Sequence, residues 1–332
     1  MLDGQTTLVR VVDDSQVGEA RRAMAALGQR VGLDPNAASN AAVVTTEAAT
    51  NLVKHAGGGE ILLRAVEDGV EVIALDRGPG MADVSASLRD GHSTVGTQGN
   101  GLGAIRRMAT TFDIYSVRGQ GTAVLARIRS QPAPRERVRL ELGAVSLPKS
   151  GETVNGDAWL FQTTARGARI LMVDGLGHGP IASDAAHAAL EAFRAAPGES
   201  VEAAVETCHL ALRSTRGAAL AVTEVDVEAG VVRFAGVGNI AGAVWNGSQS
   251  HHTVSHNGTA GHGTIRIREF SYPWPKGALL VLASDGLATR WTLESYPGLA
   301  ARDPALVAAI LYRDHSRQRD DITVVVAREP RA

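Results

Sequence analysis

The 332-residue sequence contains a single cysteine, Cys208. That excludes an intrachain disulfide, and a thiolate zinc site, which draws on several cysteines, is not expected. The Ala/Val/Leu-rich stretch around Cys208 reads as the setting of a buried small hydrophobe. Charge of one sign is also missing. With a formal net charge of −2, no field draws the chain to nucleic acid or to an anionic membrane, so a protein or nucleotide partner is the better expectation. Nowhere do about 18 uncharged apolar residues run together, which argues against a membrane-spanning helix. The opening Met1-Leu2-Asp3-Gly4-Gln5 lacks the basic and apolar regions of a secretion signal, so a cytoplasmic protein is expected. Aromatic residues make up only 4%. Trp159, Trp245, Trp274 and Trp291 have no basic patch beside them and read as core or hinge residues rather than a platform for stacking bases.

What is present is a globular composition, 44% hydrophobic and 20% charged, at a length suited to two domains. The polar stretch 130–137 carries Pro132 and Pro134 and follows a strand-like run over 122–128, the mark of a linker. Domains are therefore expected over 1–130 and 138–332, joined by 131–137. The first half reads as a strand over 7–12, helices over 15–31 and 34–56, strands over 60–67 and 70–76, a Gly/Ser/Thr-rich loop, a short helix from Gly101 and two last strands. Asp34-Pro35 supplies an N-cap acceptor and a first-turn proline, and Gly57-Gly58-Gly59 a helix stop. This order suggests a two-layer α/β sandwich.

The second half is richer in strands, expected over 138–146, 158–164, 169–173, 218–225, 231–237, 242–245, 264–270, 278–283 and 322–327. Helices are expected over 181–195, 201–214, 293–300 and 304–313. Many strands with grouped helices suggest two packed sheets flanked by helices.

On the second helix Glu47, Asn51 and Lys54/His55 follow spacings of four and then three or four, which stacks them on one face. Asn can offer an oxygen to Mg²⁺ beside phosphates, and Glu can take a proton from an attacking hydroxyl. Alone, the stripe fits a solvated helix face equally well. Two further motifs stand in the same half. Asp76-Arg77-Gly78-Pro79-Gly80 follows an apolar strand, where a carboxylate can accept from an exocyclic amine and glycine lets backbone approach a ring. Gly99-Asn100-Gly101-Leu102-Gly103 opens a helix, a natural seat for phosphate. It follows a polar loop rather than a strand, the wrong context for a dinucleotide fingerprint, and no Walker A sequence exists.

Together these residues resemble the GHKL ATPase superfamily. Glu47-Ala48-Ala49-Thr50-Asn51 is similar to its N box, Asp76 to Gly80 and Gly99 to Gly103 to its two glycine boxes, and Gly119-Gln120-Gly121-Thr122 to its closing motif. The resemblance implies a Bergerat-type α/β sandwich that binds ATP with Mg²⁺. Asn51 would hold the metal, Asp76 the adenine with Thr122 in support, and Gly78, Gly80, Gly99, Gly101 and Gly103 would cradle the nucleotide under a short lid over 81–98. No histidine-bearing acceptor helix precedes His55. The size and short lid resemble the anti-sigma-factor kinases, RsbW- and RsbT-like, which phosphorylate Ser or Thr of STAS-domain proteins. Glu47 would then be the base, in a reaction that needs mostly positioning and charge neutralisation.

In the second half Asp157, Asp174, Asp285 and Asp320 sit at strand edges beside glycine or another acid. Singly, each Asp-Gly reads as a turn. Carboxylates converging at strand ends repel unless cations neutralise them, and oxygen donors favour Mg²⁺ or Mn²⁺ over zinc. In order and over about 140–328, these motifs resemble the PPM-type metal-dependent protein phosphatases of the SpoIIE/RsbX-like branch, which implies an α-β-β-α sandwich. By that resemblance Asp174 bridges two Mn²⁺ or Mg²⁺ ions and the Gly175 carbonyl binds one. Asp285 and Asp320 hold the other, and Asp157 binds directly or through water. Asp321, where many relatives carry Asn, would support the ligands from outside. The arginine that grips phosphate in larger relatives has no counterpart before Asp157, which leaves substrate anchoring undefined. His178 fits an acid for the leaving group or a turn residue, with the turn favoured. His251, His252, His256 and His262, irregularly spaced, read as an exposed loop rather than a metal site.

The expectation is an α+β enzyme with two opposed activities on a STAS-domain phosphoprotein, within a partner-switching pathway that reaches a sigma factor or a stressosome-like assembly. Nucleic acid and membrane are not expected partners, and a homodimer stays open. The alternative is a phosphatase whose first half only binds a partner in an ATP-dependent way.

Overall fold

The structure, a computed structural model, describes residues 4–88, 101–130, 139–196, 198 and 200–331. Gly99 and the expected linker at 131–137 lie outside the described residues, as do residues 89–98 of the expected lid. The chain divides into two compact units. One comprises Met1–Glu136 with Ala301–Ile310, and the other Arg137–Ala300 with Leu311–Ala332.

In the first unit β1 (Thr6–Val11), β2 (Gly59–Val66), β3 (Gly69–Leu75), β4 (Thr111–Val117) and β5 (Gly121–Arg129) form one antiparallel sheet, ordered β1-β2-β3-β5-β4. The long helices are α1 (Asp14–Val31) and α2 (Pro35–Asn51), with α3 (Val84–Ser87) and α4 (Gly101–Met108) between β3 and β4 in the chain. Period-2 residues Ile61, Leu63, Val70, Val72, Ala126 and Ile128 turn one sheet face toward Ala20, Met24, Val44 and Ala48 of the helices, as a two-layer sandwich requires. Asp13 and Gln16 close a reciprocal capping box on α1, and Asp34 accepts from the amides of Asn36 and Ala37 ahead of Pro35.

The second expected helix does not run on unchanged to 56. Its last turn, Leu52–Ala56, widens into a π-turn that ends on left-handed Gly57. Lys54 and His55 in that turn are exposed, whereas Glu47 and Asn51 are half-buried.

In the second unit two five-stranded antiparallel sheets pack together. One is ordered β13-β10-β9-β8-β7 and the other β12-β11-β14-β15-β6. Their strands are β6 (Glu141–Leu147), β7 (Asp157–Thr164), β8 (Gly167–Gly175), β9 (Ala218–Asp226), β10 (Val231–Val237), β11 (Ala241–Trp245), β12 (Ser250–His252), β13 (Phe270–Pro273), β14 (Leu279–Ala283) and β15 (Ile322–Arg328). Ile170, Met172, Ala221 and Phe234 of the first sheet share a core with Val244, Leu280, Leu282 and Val325 of the second. The other face of the first sheet, with Leu171, Val173, Leu220 and Val222, is covered by α5 (Pro180–Ala195) and α6 (Val201–Ala211), where Cys208 is fully buried. A final helix, α7 (Pro304–His315), begins in the segment grouped with the first unit.

Three expectations change. The strand placed over 264–270 lies at Phe270–Pro273 instead, because β10 past Phe234 is bridged at Val237 to His256 and that edge is taken. The helix over 293–300 is two 3₁₀ turns, Leu293–Ser295 and Leu299–Ala301, interrupted by Pro297 and by Gly298 at φ 78°. His251 and His252 belong to β12, paired with Val244 and Ala243. Among the described residues no helix is long and apolar enough to cross a membrane.

The face of the first sheet turned away from α1 and α2 carries a charged cross-strand row. Arg64 lies opposite Glu71, and Glu71 opposite Arg127. Glu71 Oε1 accepts from Arg64 at 2.8 Å and its Oε2 from Arg127 at 2.7 Å, while the rest of the Arg127 guanidinium makes two 2.7 Å bonds to Asp303. Burial alone would push Glu71 up, yet the two guanidinium groups win and hold it below its ordinary value. A carboxylate depressed by folding stabilises the protein above its unfolded pKa and loses that contribution as pH falls through the folded one. Glu71→Gln leaves two buried cations short of a partner and should cost about 3–5 kcal/mol. Chemical denaturation at pH 7 and at pH 3 checks this, with the gap between wild type and variant shrinking at the lower pH.

Candidate functional site

In the first unit the nucleotide motifs meet where α4 begins. A Cβ built on Gly101 would stand 2.9 Å from Glu47 Oε2 and 3.3 Å from Asn51 Oδ1. Only glycine lets the N-terminus of α4 come this close to the polar residues of α2. Gly103, one turn-position on, is buried, and Glu47 and Asn51 are half-buried. At the end of β3, Asp76 Oδ1 accepts from the amides of Gly78 at 2.8 Å and Thr122 at 3.1 Å, and the Asp76 amide donates to the Thr122 carbonyl. The Thr122 hydroxyl shares a 2.8 Å bond with Ser116, whose oxygen also accepts from the Met81 amide. The loop with Gly78 and Gly80 is thereby tied to the β4–β5 turn. Ser116 has no counterpart among the sequence candidates; its place inside an ordinary β-run gives no local signal.

In the second unit Asp157 and Asp174 are direct cross-strand partners at the ends of β7 and β8. Asp285 follows β14, and Asp320 and Asp321 precede β15, its neighbour in the other sheet. Asp157 is buried. Its Oδ2 accepts from Ser284 Oγ at 2.6 Å, while its Oδ1 is buried with no hydrogen-bond partner among the described residues. Burial pushes Asp174 well above the usual carboxylate range, and Asp157, Asp285, Asp320 and Asp321 push it further. Asp157 is raised mainly by burial, against the Ser284 bond, with Asp321 and Asp285 adding to the rise. Asp285 is raised by burial and by Asp320, opposed by Arg317 and by the 2.8 Å bond from Asn239. All of these acids thus lie within electrostatic reach of Asp174.

Buried hydroxyls and an amide brace this end of the unit. Asn155 accepts from the Asp157 amide and donates to Ser146, which bonds Thr323, whose amide donates to Ser284. Asp321 spends both oxygens on backbone, Oδ1 on the Lys149 amide at 2.7 Å and Oδ2 on the Gly156 amide at 2.9 Å. Ser284 and Asn155 flank acids in Ser284-Asp285-Gly286 and Asn155-Gly156-Asp157, a signal the sequence did carry. Ser146 and Asn239 carried none. His178 pairs with Glu152 at 3.0 Å, between left-handed Gly177 and Gly179. Among the described residues no three His, Cys, Asp or Glu side chains are gathered tightly enough to enclose one ion. The unpartnered Asp157 Oδ1 is an oxygen donor of the kind that Mg²⁺ and Mn²⁺ take, together with water.

Residues 11–128 match the family model described as a histidine kinase-like ATPase domain, and residues 164–330 match that of stage II sporulation protein E. The serine/threonine-protein kinase RsbT of Bacillus subtilis is 31% identical over 122 residues, 36% of this chain and 92% of that protein. The phosphoserine phosphatase RsbX of the same organism is 22% identical over 153 residues, 46% of this chain and 77% of that protein. A crystal structure of RsbX with magnesium superposes with a TM-score of 0.53 at 20% identity, over 59% of this chain and 98% of that one. A chain from a solved structure of the bacterial stressosome gives 0.54 at 26% identity, over 57% and 99%. The chain belongs to the SpoIIE family of PPM-type protein phosphatases, and it carries a GHKL-like ATPase domain, homologous to RsbT, ahead of the phosphatase domain.

Proposed function

We propose that the chain is a partner-switching regulator with two opposed activities. Residues 138–332 form a Mn²⁺- or Mg²⁺-dependent phosphoserine/phosphothreonine phosphatase, residues 1–130 a kinase that uses Mg-ATP, and 131–137 the linker. A cytoplasmic STAS-domain protein is the substrate of both, in a pathway that leads to a sigma factor or a stressosome-like assembly. The kinship with RsbT and RsbX supports this pairing. The single observation that carries the phosphatase half is the cross-strand pair Asp157 and Asp174, with Asp157 Oδ1 buried and unpartnered among the described residues. Such a group of acids costs stability unless cations compensate it.

Asp174 would take a place between two ions, with the Gly175 carbonyl on one, Asp285 and Asp320 on the other, and Asp157 offering its unpartnered Oδ1. Divalent ions held there supply Lewis acidity and charge neutralisation for attack on phosphorus. Ser284 and Asn155 keep Asp157 in place, and Asn239 orients Asp285. In the first unit Asn51 would hold Mg²⁺ and Asp76 the adenine. Glu47 would accept the proton of the attacking Ser or Thr hydroxyl, the role a carboxylate beside the phosphate seat can fill.

Wild type should dephosphorylate a phosphoserine STAS protein with Mn²⁺, and Asp174→Asn should be at least about 100-fold slower. Equal rates, or no activity in a folded, metal-loaded wild type, would overturn the assignment. Ligation needs ionised carboxylates, so Mn²⁺ binding should release protons and tighten as pH rises through the elevated pKa values of Asp157 and Asp174. Calorimetry in buffers of different ionisation heat checks this, with EDTA reversing any gain in melting temperature. With labelled ATP, wild type should transfer phosphate to the STAS protein and Glu47→Gln should not, while both bind nucleotide. Binding without transfer in wild type would leave an ATP-dependent partner-binding module.

A further inference from the structure

The phosphate monoester that this site would take is a dianion, and the site itself is rich in acid. Four carboxylates, from Asp157, Asp285, Asp320 and Asp321, lie within electrostatic reach of Asp174, so even two divalent cations leave the five acids one negative charge in excess. A further cation must meet the incoming phosphate. Arg317 already offsets Asp285, and His178 Nδ1 lies 3.0 Å from Glu152.

Arg216 is different. It lies just ahead of β9, two residues before Ala218, which pairs with Gly175. The guanidinium is exposed and reaches over the loop that follows Asp174, with Nη1 3.7 Å from where a Gly177 Cβ would be. Among the described residues no carboxylate lies within ion-pair distance of it.

Its backbone, by contrast, is fixed on every side. The Arg216 carbonyl bonds His262 Nε2 at 2.9 Å, the Gly217 carbonyl accepts from the Leu176 amide at 3.0 Å, and the Gly217 amide donates to Thr215 Oγ1. Gly217 sits at φ 80°, and a Cβ there would come within 2.6 Å of the Ala260 carbonyl. An exposed guanidinium carried on an anchored backbone can grip two phosphate oxygens at once. The same glycine loop runs into the N-terminus of α5, which has no side-chain cap and adds positive potential on that side.

We propose that Arg216 is the phosphate-anchoring residue, gripping the non-reacting oxygens of a phosphoserine or phosphothreonine from the Gly175–Gly179 side. It stands in the chain after the metal-binding Asp174 rather than before Asp157, and so fills the role that the first part of the domain leaves empty. Leu176 and Ile181, about half exposed on either side of the loop, would meet apolar residues flanking the phosphorylated position. The assignment rests on the phosphatase reading of the same site.

The test uses the full chain loaded with Mn²⁺, comparing wild type, Arg216→Ala and Arg216→Lys. Calorimetry gives the affinity for inorganic phosphate and for Mn²⁺, and p-nitrophenyl phosphate hydrolysis gives KM and kcat. Arg216→Ala should weaken phosphate binding and raise KM by about tenfold or more, the scale of a lost charge-assisted bond, with Mn²⁺ affinity and melting temperature as in wild type. Arg216→Lys should recover part of the affinity, since it restores charge without the planar fork. Equal phosphate affinity in wild type and Arg216→Ala, or no phosphate binding by the Mn²⁺-loaded wild type, overturns the proposal. Arginine-dependent phosphate binding in a wild type that hydrolyses nothing would sink the phosphatase reading and leave the anchor standing.

Discussion

Like charges held at the ends of neighbouring strands set the terms for the whole second unit. Asp157 and Asp174 face each other across one ladder, and Asp285 and Asp320 come from adjacent strands of the other sheet. Their mutual repulsion, in surroundings that already disfavour ionisation, works against folding. The fold absorbs it with a buried polar brace that crosses from one sheet to the other. Ser284 reaches from β14 to Asp157, and Thr323 ties Ser284 to Ser146 and so to Asn155. Around that brace the second sheet is mostly hydrocarbon, as in Leu279–Ala283 and Ile322–Arg328, where every residue is buried. The apolar core thus carries the stability, and the sheet ends can hold groups that oppose it.

The first unit solves a different problem, bringing backbone close to polar side chains. Gly101 admits the start of α4 to the side chains of Glu47 and Asn51. Asp76 gathers the amides of its own loop and of the β5 strand into one turn. Each sets main chain against a side chain, and at Gly101 and Gly78 the sequence marks the main-chain partner by glycine.

Much of this was legible because pattern and punctuation agree. The run from Val70 to Leu75, broken by one glutamate, could only be a strand, and Asp34-Pro35 could only open a helix. Each acid of the phosphatase site stands beside glycine or a second acid at the end of an apolar run, and such local contrast is visible in one dimension. What stayed hidden lacks a local signature. The π-turn at Leu52–Ala56 follows from how the helix must end against Gly57 and Gly58, not from its residues. The run over 264–269 alternates like a strand but finds its edge occupied by His256. Asn239 reaches Asp285 across 46 positions of sequence, and Asp303 meets Arg127 across 176; neither distance leaves a trace in spacing. Glu71, an acid in an apolar strand, finds its partners Arg64 and Arg127 on the two neighbouring strands.

Asp321 spends one oxygen on Lys149 and the other on Gly156, so a single side chain closes both ends of the turn between β6 and β7. An asparagine there has one acceptor and one donor, and can satisfy only one of those amides. The side chain at 321 and the path of the 149–156 turn are therefore one constraint rather than two, and an amide at 321 would suit only a turn in which a carbonyl replaces one of the two N–H groups.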